Sequence, residues 1–123
     1  MPAAQRQSTF AHQLLSQAET QALLAICRRR SVTVHSALCA ALLQAVGAEI
    51  RTDMNVGETL LGCCTPVNLR AALRPAVGED LGLYVGPIVT FHPLTARTEL
   101  FALAAQLTTH IQAARTAGCP TLG

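Results

Sequence analysis

The stretch Cys63-Cys64-Thr65-Pro66-Val67-Asn68-Leu69-Arg70 decides how the rest of this 123-residue chain is read. It has an apolar entry, a proline that cannot donate to a sheet ladder, and a polar exit. That pattern predicts a buried strand that delivers Asn68 and Arg70 to its mouth. The full strand is expected over Thr59 to Val67. The adjacent Cys63 and Cys64 then point to opposite faces, a poor geometry for a bridge between them.

Working outward toward the N-terminus, Ser16 followed by Glu19 makes a capping box, so a helix is expected from about Gln17 to Arg30. Ala22, Leu23, Ile26 and Cys27 share one of its faces. Arg28, Arg29 and Arg30 fall in its last turn, where positive charge meets the negative end of the helix dipole. Thr33 is placed to cap a second helix over Val34 to Val46, with Gly47 as its stop. Val34, Leu38, Ala41, Leu42, Ala45 and Val46 form a broad apolar stripe there, expected to face the sheet and to be the most buried part of the chain. Before the first helix, Thr9 to Leu15 alternates weakly and suggests a short strand, preceded by a loose lead-in at 1–8.

Toward the C-terminus, Ala48 to Glu58 turns polar and is expected to be a loop or edge hairpin. Ala71 to Asp80, with Pro75 and Gly78, is expected to be an exposed, mobile loop. Gly82 to Phe91 reads as a second strand, interrupted at Gly86-Pro87, so an edge position or a bulge is expected. His92-Pro93 would close that strand as a solvated turn. Thr95 or Thr98 is placed to cap a last helix that carries Leu100, Leu103, Ala104, Leu107, Ile111 and Ala114. Gly118 and Pro120 would end it, leaving 119–123 as a tail. The order strand, helix, helix, strand, strand, helix gives an α/β class: one domain over 1–123, with a small layered sheet of three to four strands and about three helices. So small a sheet leaves an exposed edge, and pairing with another chain, as a homodimer or with a missing partner, is expected.

Half of the residues are hydrophobic, but only one Tyr and three Phe are aromatic, so the core must be built from small aliphatic side chains. The nine basic residues, all arginine, exceed the seven acidic ones by two, too mild a balance to argue for nucleic acid. No apolar run approaches the roughly 20 residues of a membrane span, and the N-terminus lacks the apolar region of a secretion signal, so a cytoplasmic location is expected. The five cysteines show neither a disulfide framework nor metal-ligand spacing and read as small buried hydrophobes.

Two stretches resemble a known superfamily. Thr65-Pro66-Val67-Asn68-Leu69-Arg70, followed by Leu81-Gly82-Leu83-Tyr84-Val85-Gly86, is similar to the PVNLR…LGxYVG segment of the condensation-domain superfamily. Cys27 to Leu42 is similar to its CRxxGVTVHGALCAALL helix. Members have a chloramphenicol-acetyltransferase-like fold and include polyketide-associated acyltransferases and alcohol acetyltransferases. The resemblance runs from about Phe10 to Gly118 and implies only the start of the second half-domain. It implies acyl transfer from a thioester of coenzyme A or a carrier protein, with a general base supplied by an HHxxxDG motif. This chain has His12, His35, His92 and His110, no adjacent pair, and no DFGWG motif. No catalytic residue is therefore assigned. Arg70 matches the arginine that braces the histidine motif through that motif's aspartate. With no such aspartate in this chain, it is expected to pair with Asp80 or Glu79, to be exposed, or to bind an anion.

The residues put forward for ligand binding or structure are Asn68, Arg70, His35, Cys39 and Tyr84. His35 and Cys39 are four apart on one helix and share a face. A packed histidine beside a buried thiol is the plainer reading of that pair, a thiolate-imidazole nucleophile the sharper one. No metal site is expected. The functional expectation is a truncated acyltransferase-like domain, non-catalytic alone, that binds an acyl thioester or completes a split acyltransferase. A small homodimeric binding protein on the same scaffold is the alternative.

Overall fold

A computed structural model describes residues 2–70, 75, 77–79 and 81–116. After a single 3-10 turn, Ala3–Gln5, come helix α1 (Gln17–Arg29), helix α2 (Val34–Met54), strand β1 (Glu58–Asn68), strand β2 (Val85–Thr95) and helix α3 (Leu100–Thr116).

The two strands form one antiparallel sheet in unbroken register, from Glu58 opposite Thr95 to Asn68 opposite Val85. Its inner face carries Thr59, Leu61, Cys63, Thr65 and Val67 from β1, set against Leu94, His92, Thr90, Ile88 and Gly86 from β2. Helices α2 and α3 pack on that face and on each other. Cys27, Val32, Ala37, Ala40, Leu43, Leu94, Leu103, Ala104 and Leu107 make the core. Ala40 and Ala104, both fully buried, let the two helices approach closely. At roughly 25 cal/mol per Å2 of apolar surface, a buried leucine such as Leu103 or Leu107 contributes about 2 kcal/mol.

Local chemistry explains the helix ends. The Glu19 amide donates to Ser16 Oγ and the Ser16 amide donates to Glu19 Oε1, each at 3.1 Å, so the capping box forms as the spacing predicts. Helix α1 closes with the Val32 amide donating back to the Cys27 carbonyl at 3.0 Å, which requires Ser31 to take a left-handed φ of 55°. Thr33 caps α2 by accepting from the Ser36 amide at 3.0 Å.

Several expectations are corrected. Residues 9–15 form no strand and are exposed, since three alternating positions without a partner strand cannot hold an extended segment. The second helix does not stop at Gly47. It continues to Met54 through the segment expected to be a loop, and ends at Asn55, whose φ of 50° lets the Val56 amide reach the Arg51 carbonyl at 3.1 Å. Gly47 instead serves as a close-approach site, because a Cβ there would lie 3.1 Å from Leu94 Cδ1 and 3.5 Å from Thr59 Oγ1.

The stripe on α2 is also rotated from expectation. Leu38, Leu42 and Val46 are exposed, while Ser36, Ala37, Ala40, Leu43 and Gly47 face inward. On α1 the shared face buries Cys27 fully and Leu23 and Ile26 partly, but leaves Ala22 exposed.

The second strand spans Val85–Thr95 without a bulge. Pro87 faces Pro66 across the outer face, and in a two-stranded sheet each strand is an edge that tolerates proline. His92 is therefore mid-strand and 1% exposed, not a solvated turn.

Neither Thr95 nor Thr98 caps α3. The Glu99 carboxylate accepts from the Phe101 and Ala102 amides at 3.0 and 2.7 Å, which holds its pKa below the ordinary value. The sheet has two strands among the described residues, fewer than the three to four expected. Most of the loop expected over 71–80 and the helix stop at Gly118 and Pro120 lie outside the described residues. No single described helix is long and apolar enough to cross a membrane.

Candidate functional site

A cleft of about 350 Å3 opens where the N-terminus of α2, the exit of β1 and the C-terminal half of α3 meet. Thr33, His35 and Ser36 line it from α2, Thr65 to Asn68 from β1, and Thr108, Ile111, Gln112 and Arg115 from α3. Each lining has a local cause. Thr65 is on the inner face by the period of two, and Thr108, Ile111, Gln112 and Arg115 recur at helical spacing on α3. The Thr33 amide donates to Thr108 Oγ1 at 3.3 Å and ties α2 to α3 at the cleft floor. Asn68, the last residue of β1, lines the cleft.

His35 Nε2 lies 3.3 Å from Thr65 Oγ1 and 3.4 Å from Cys39 Sγ. The four-residue spacing therefore brings the imidazole and thiol together. Burial, with the neighbouring Cys63, pushes the Cys39 thiol up to about 11, so the pair does not form a thiolate nucleophile at neutral pH. Cys39 belongs to a second, apolar groove of about 200 Å3 between α2 and β1, which Leu42, Val46, Leu61 and Cys63 also line. His35 thus stands between a polar cleft and an apolar groove.

Arg70 and Tyr84 form a separate pair beyond the strand ends. The Arg70 guanidinium carbon lies 4.4 Å from the Tyr84 ring centre, and Nη1 donates to the Gly78 carbonyl at 2.6 Å. The Leu69 amide donates to the Tyr84 carbonyl at 2.8 Å, and the Arg70 amide to Asn68 Oδ1 at 3.0 Å, so the exit of β1 is pinned to the entry of β2. Asn68 and Arg70 are neighbours, but only Asn68 lines the cleft.

Against this geometry, the sequence profile described as the phthiocerol/phthiodiolone dimycocerosyl transferase C-terminus matches residues 4–121. The chain belongs to that family. The polyketide synthase associated protein 5 from Mycobacterium tuberculosis has a similar structure, with a TM-score of 0.72 and 21% identity over 96% of this chain. At that identity the likeness speaks for the fold. The chain covers 32% of that protein's length, so it corresponds to a C-terminal acyltransferase-like domain rather than to a whole such enzyme. No curated protein matches the chain.

Three features of the dimycocerosyl transferase C-terminus as it stands in this chain escape a reading by motif. His92, facing Leu61 across the sheet, stacks on His110 of α3 at 5.9 Å between ring centres. The strict alternation of Ile88, Thr90, His92 and Leu94 was the signal that places it inward. Arg115 and Gln112 bring a cation and an amide to the cleft, visible only through the helical period of α3. Arg30, at the end of α1, lies 5.0 Å from the Phe101 ring centre. No group of three metal-ligating side chains occurs among the described residues.

Proposed function

We propose that this domain is the non-catalytic scaffold half of a polyketide-associated type of acyltransferase. It contributes binding surface for an acyl thioester, while a further polypeptide segment bearing a paired-histidine motif supplies the base. The observation that carries this reading is the setting of His35. It is the one histidine at the cleft, and it contacts Thr65 and Cys39 rather than a second imidazole or a carboxylate. Abstracting a proton from an alcohol or amine acceptor needs a base held in place by a partner group.

Two further observations support it. The polar cleft with Asn68 and Arg115 suits the polar part of a coenzyme A or carrier-bound thioester, and the apolar groove beside it suits an acyl chain. Arg70, its guanidinium carbon 4.4 Å from the Tyr84 ring centre, is placed to receive a carboxylate from the histidine-bearing segment. The proposed setting is the cytoplasm, without nucleic-acid or membrane partners.

The test is native mass spectrometry of the purified chain with short acyl-coenzyme A thioesters. Non-covalent complexes without acyl transfer are expected, and transfer or hydrolysis by the chain alone contradicts the reading.

A second reading, a homodimeric binding protein, is favoured by one observation. The outer sheet face carries Leu60, Val85, Val89 and Phe91, all 44% exposed or more. A stable dimer with no thioester complex in the same spectra selects it.

A further inference from the structure

The edge of β1 away from β2 is open among the described residues. The Leu69 amide donates to the Tyr84 carbonyl, one step beyond the pair of Asn68 and Val85, and this fixes the phase of the ladder. Odd-numbered residues of β1 exchange bonds with β2, while Glu58, Leu60, Gly62, Cys64 and Pro66 turn their main-chain groups to the free edge. On β2 the residues that face the opposite edge include Pro87 and Pro93, which have no donor, so that edge is blunted. On β1 the run from Glu58 to Cys64 keeps every donor.

A floor for a further strand lies beside that run. Helices packed side by side stand roughly 8–10 Å apart and neighbouring strands only about 4.8 Å, so two helices overhang two strands by about one strand on each flank. Helix α2 runs along β1, with His35 beside Thr65 and Gly47 beside Thr59. Its exposed Leu42 and Val46 wall the apolar groove whose other side is Leu61, Gly62 and Cys63, and Leu38 continues their stripe one turn earlier.

The chain also carries a strand-like segment with nothing to pair with. Residues 9–15 are exposed, Phe10 at 95% and Leu14 at 90%, and Phe10, His12 and Leu14 alternate to one side. The segment has neither proline nor glycine, and it matches Glu58 to Cys64 in length. Phe10 and Leu14 stand about 13 Å apart in an extended strand, and Leu38 and Val46 about 12 Å apart along a helix. Helix α1 meets α2 at a bend of 99° and holds Ser16 about 20 Å, its own length, from the turn between them.

We propose that residues 9–15 of one copy add to the free edge of β1 in a second copy, making a reciprocal strand-exchanged dimer. Phe10 and Leu14 then cover Leu38, Leu42 and Val46, and the segment's main chain pairs with the edge groups of Glu58 to Cys64. A seven-residue segment exposes about 1,100 Å2 when extended, of which docking by one edge and one face hides roughly half. Two segments and two seats together bury about 2,000 Å2, the area of a stable interface. Within the paired runs only Glu58, at the end of its run, brings a full charge. Ordering the segments offsets part of the gain, so a Kd on the order of 10 μM is expected, and in more dilute solution the α2 stripe is plain surface. This inference uses the edge of β1 rather than the outer sheet face, and it does not rest on thioester binding.

The test follows the full chain, under reducing conditions, by sedimentation and native mass spectrometry over roughly 1 to 500 μM. A monomer–dimer equilibrium is expected, with Kd raised about a hundredfold or more by Phe10→Asp with Leu14→Asp, since both apolar anchors are lost. Both side chains are exposed in the single chain, so the circular dichroism of the dilute variant should be unchanged. Leu42→Glu breaks the seat instead and is monomeric too. Mixing the two variants restores a heterodimer, because the intact segment of one meets the intact seat of the other. Amide exchange at Leu60, Gly62 and Cys64 should slow as the chain is concentrated, while Leu61 and Cys63 stay protected throughout. A chain that is monomeric over the whole range overturns the proposal, whether its edge amides are open or shielded by its own segment. So does a dimer indifferent to Phe10→Asp with Leu14→Asp, or a mixture of the two variants that stays monomeric.

Discussion

The imidazole of His92 lies on that of His110, 5.9 Å between centres and 21° from parallel, with His92 Nε2 hydrogen-bonded to Thr90 Oγ1 at 2.8 Å and Nδ1 left without a partner. Burial, and then the charge of His110, push the His92 pKa below its ordinary 6.5. The unfolded chain therefore binds a proton more readily than the folded one. This stability is fully present above pH 6.5 and is lost as the pH falls below it, by at most about 1.4 kcal/mol per pH unit for one proton. Thermal melts at descending pH should show this slope, and His92→Leu should flatten it. A slope unchanged in that variant contradicts the assignment.

Ser31 holds a left-handed backbone, φ 55°, at the turn between α1 and α2. Ser31→Gly removes the Cβ penalty there and is expected to stabilise the fold by about 1 kcal/mol, read as a higher denaturant midpoint at unchanged slope. A lower midpoint would mean that the turn tolerates serine without strain.

On α3, Leu107 is fully buried, whereas Leu42 on α2 is 66% exposed. Leu107→Ala should cost about 2–5 kcal/mol through lost burial and the cavity left behind. Leu42→Ala should stay within about 0.5 kcal/mol, as surface changes usually do. Comparable losses at both sites would place the apolar stripe of α2 inward after all.

Arg70→Ala removes the contact with Tyr84 and the donor to the Gly78 carbonyl. The expected cost is about 1 kcal/mol, since the site is only half-buried and the pair lies near solvent. Hydrogen exchange should rise at the Leu69 amide, which the pair helps hold against Tyr84. Exchange unchanged there would show that the strand ends are pinned without the arginine.

Much of this fold is legible in local chemistry. The capping box at Ser16, the Thr33 cap, the run into Pro66 and the apolar spacing of α3 each prescribe an element at its observed place. What local chemistry hides is tertiary. Gly47 carries the signature of a helix stop, yet the approach of Leu94 and Thr59 gives it another purpose, while Asn55 supplies the left-handed residue that does end α2. His-Pro reads as a turn unless the alternation of β2 is followed through it.

The stripe of α2 misleads because Leu38, Leu42 and Val46 stay largely exposed, while Ala37, Ala40 and Leu43 beside them are the residues buried in the core. Of the candidate site, the contact between His35 and Cys39 and the position of Asn68 follow from spacing. The cleft itself does not, since α3 brings Arg115 to it from a distant part of the chain.

The proposed function has this domain hold a thioester without a base to turn it over. Its test is the release of free coenzyme A thiol from a short acyl-coenzyme A, followed with the purified chain and with His35→Ala. Both proteins should leave the thioester at its uncatalysed rate. Turnover by the unmodified chain that vanishes in His35→Ala would contradict it.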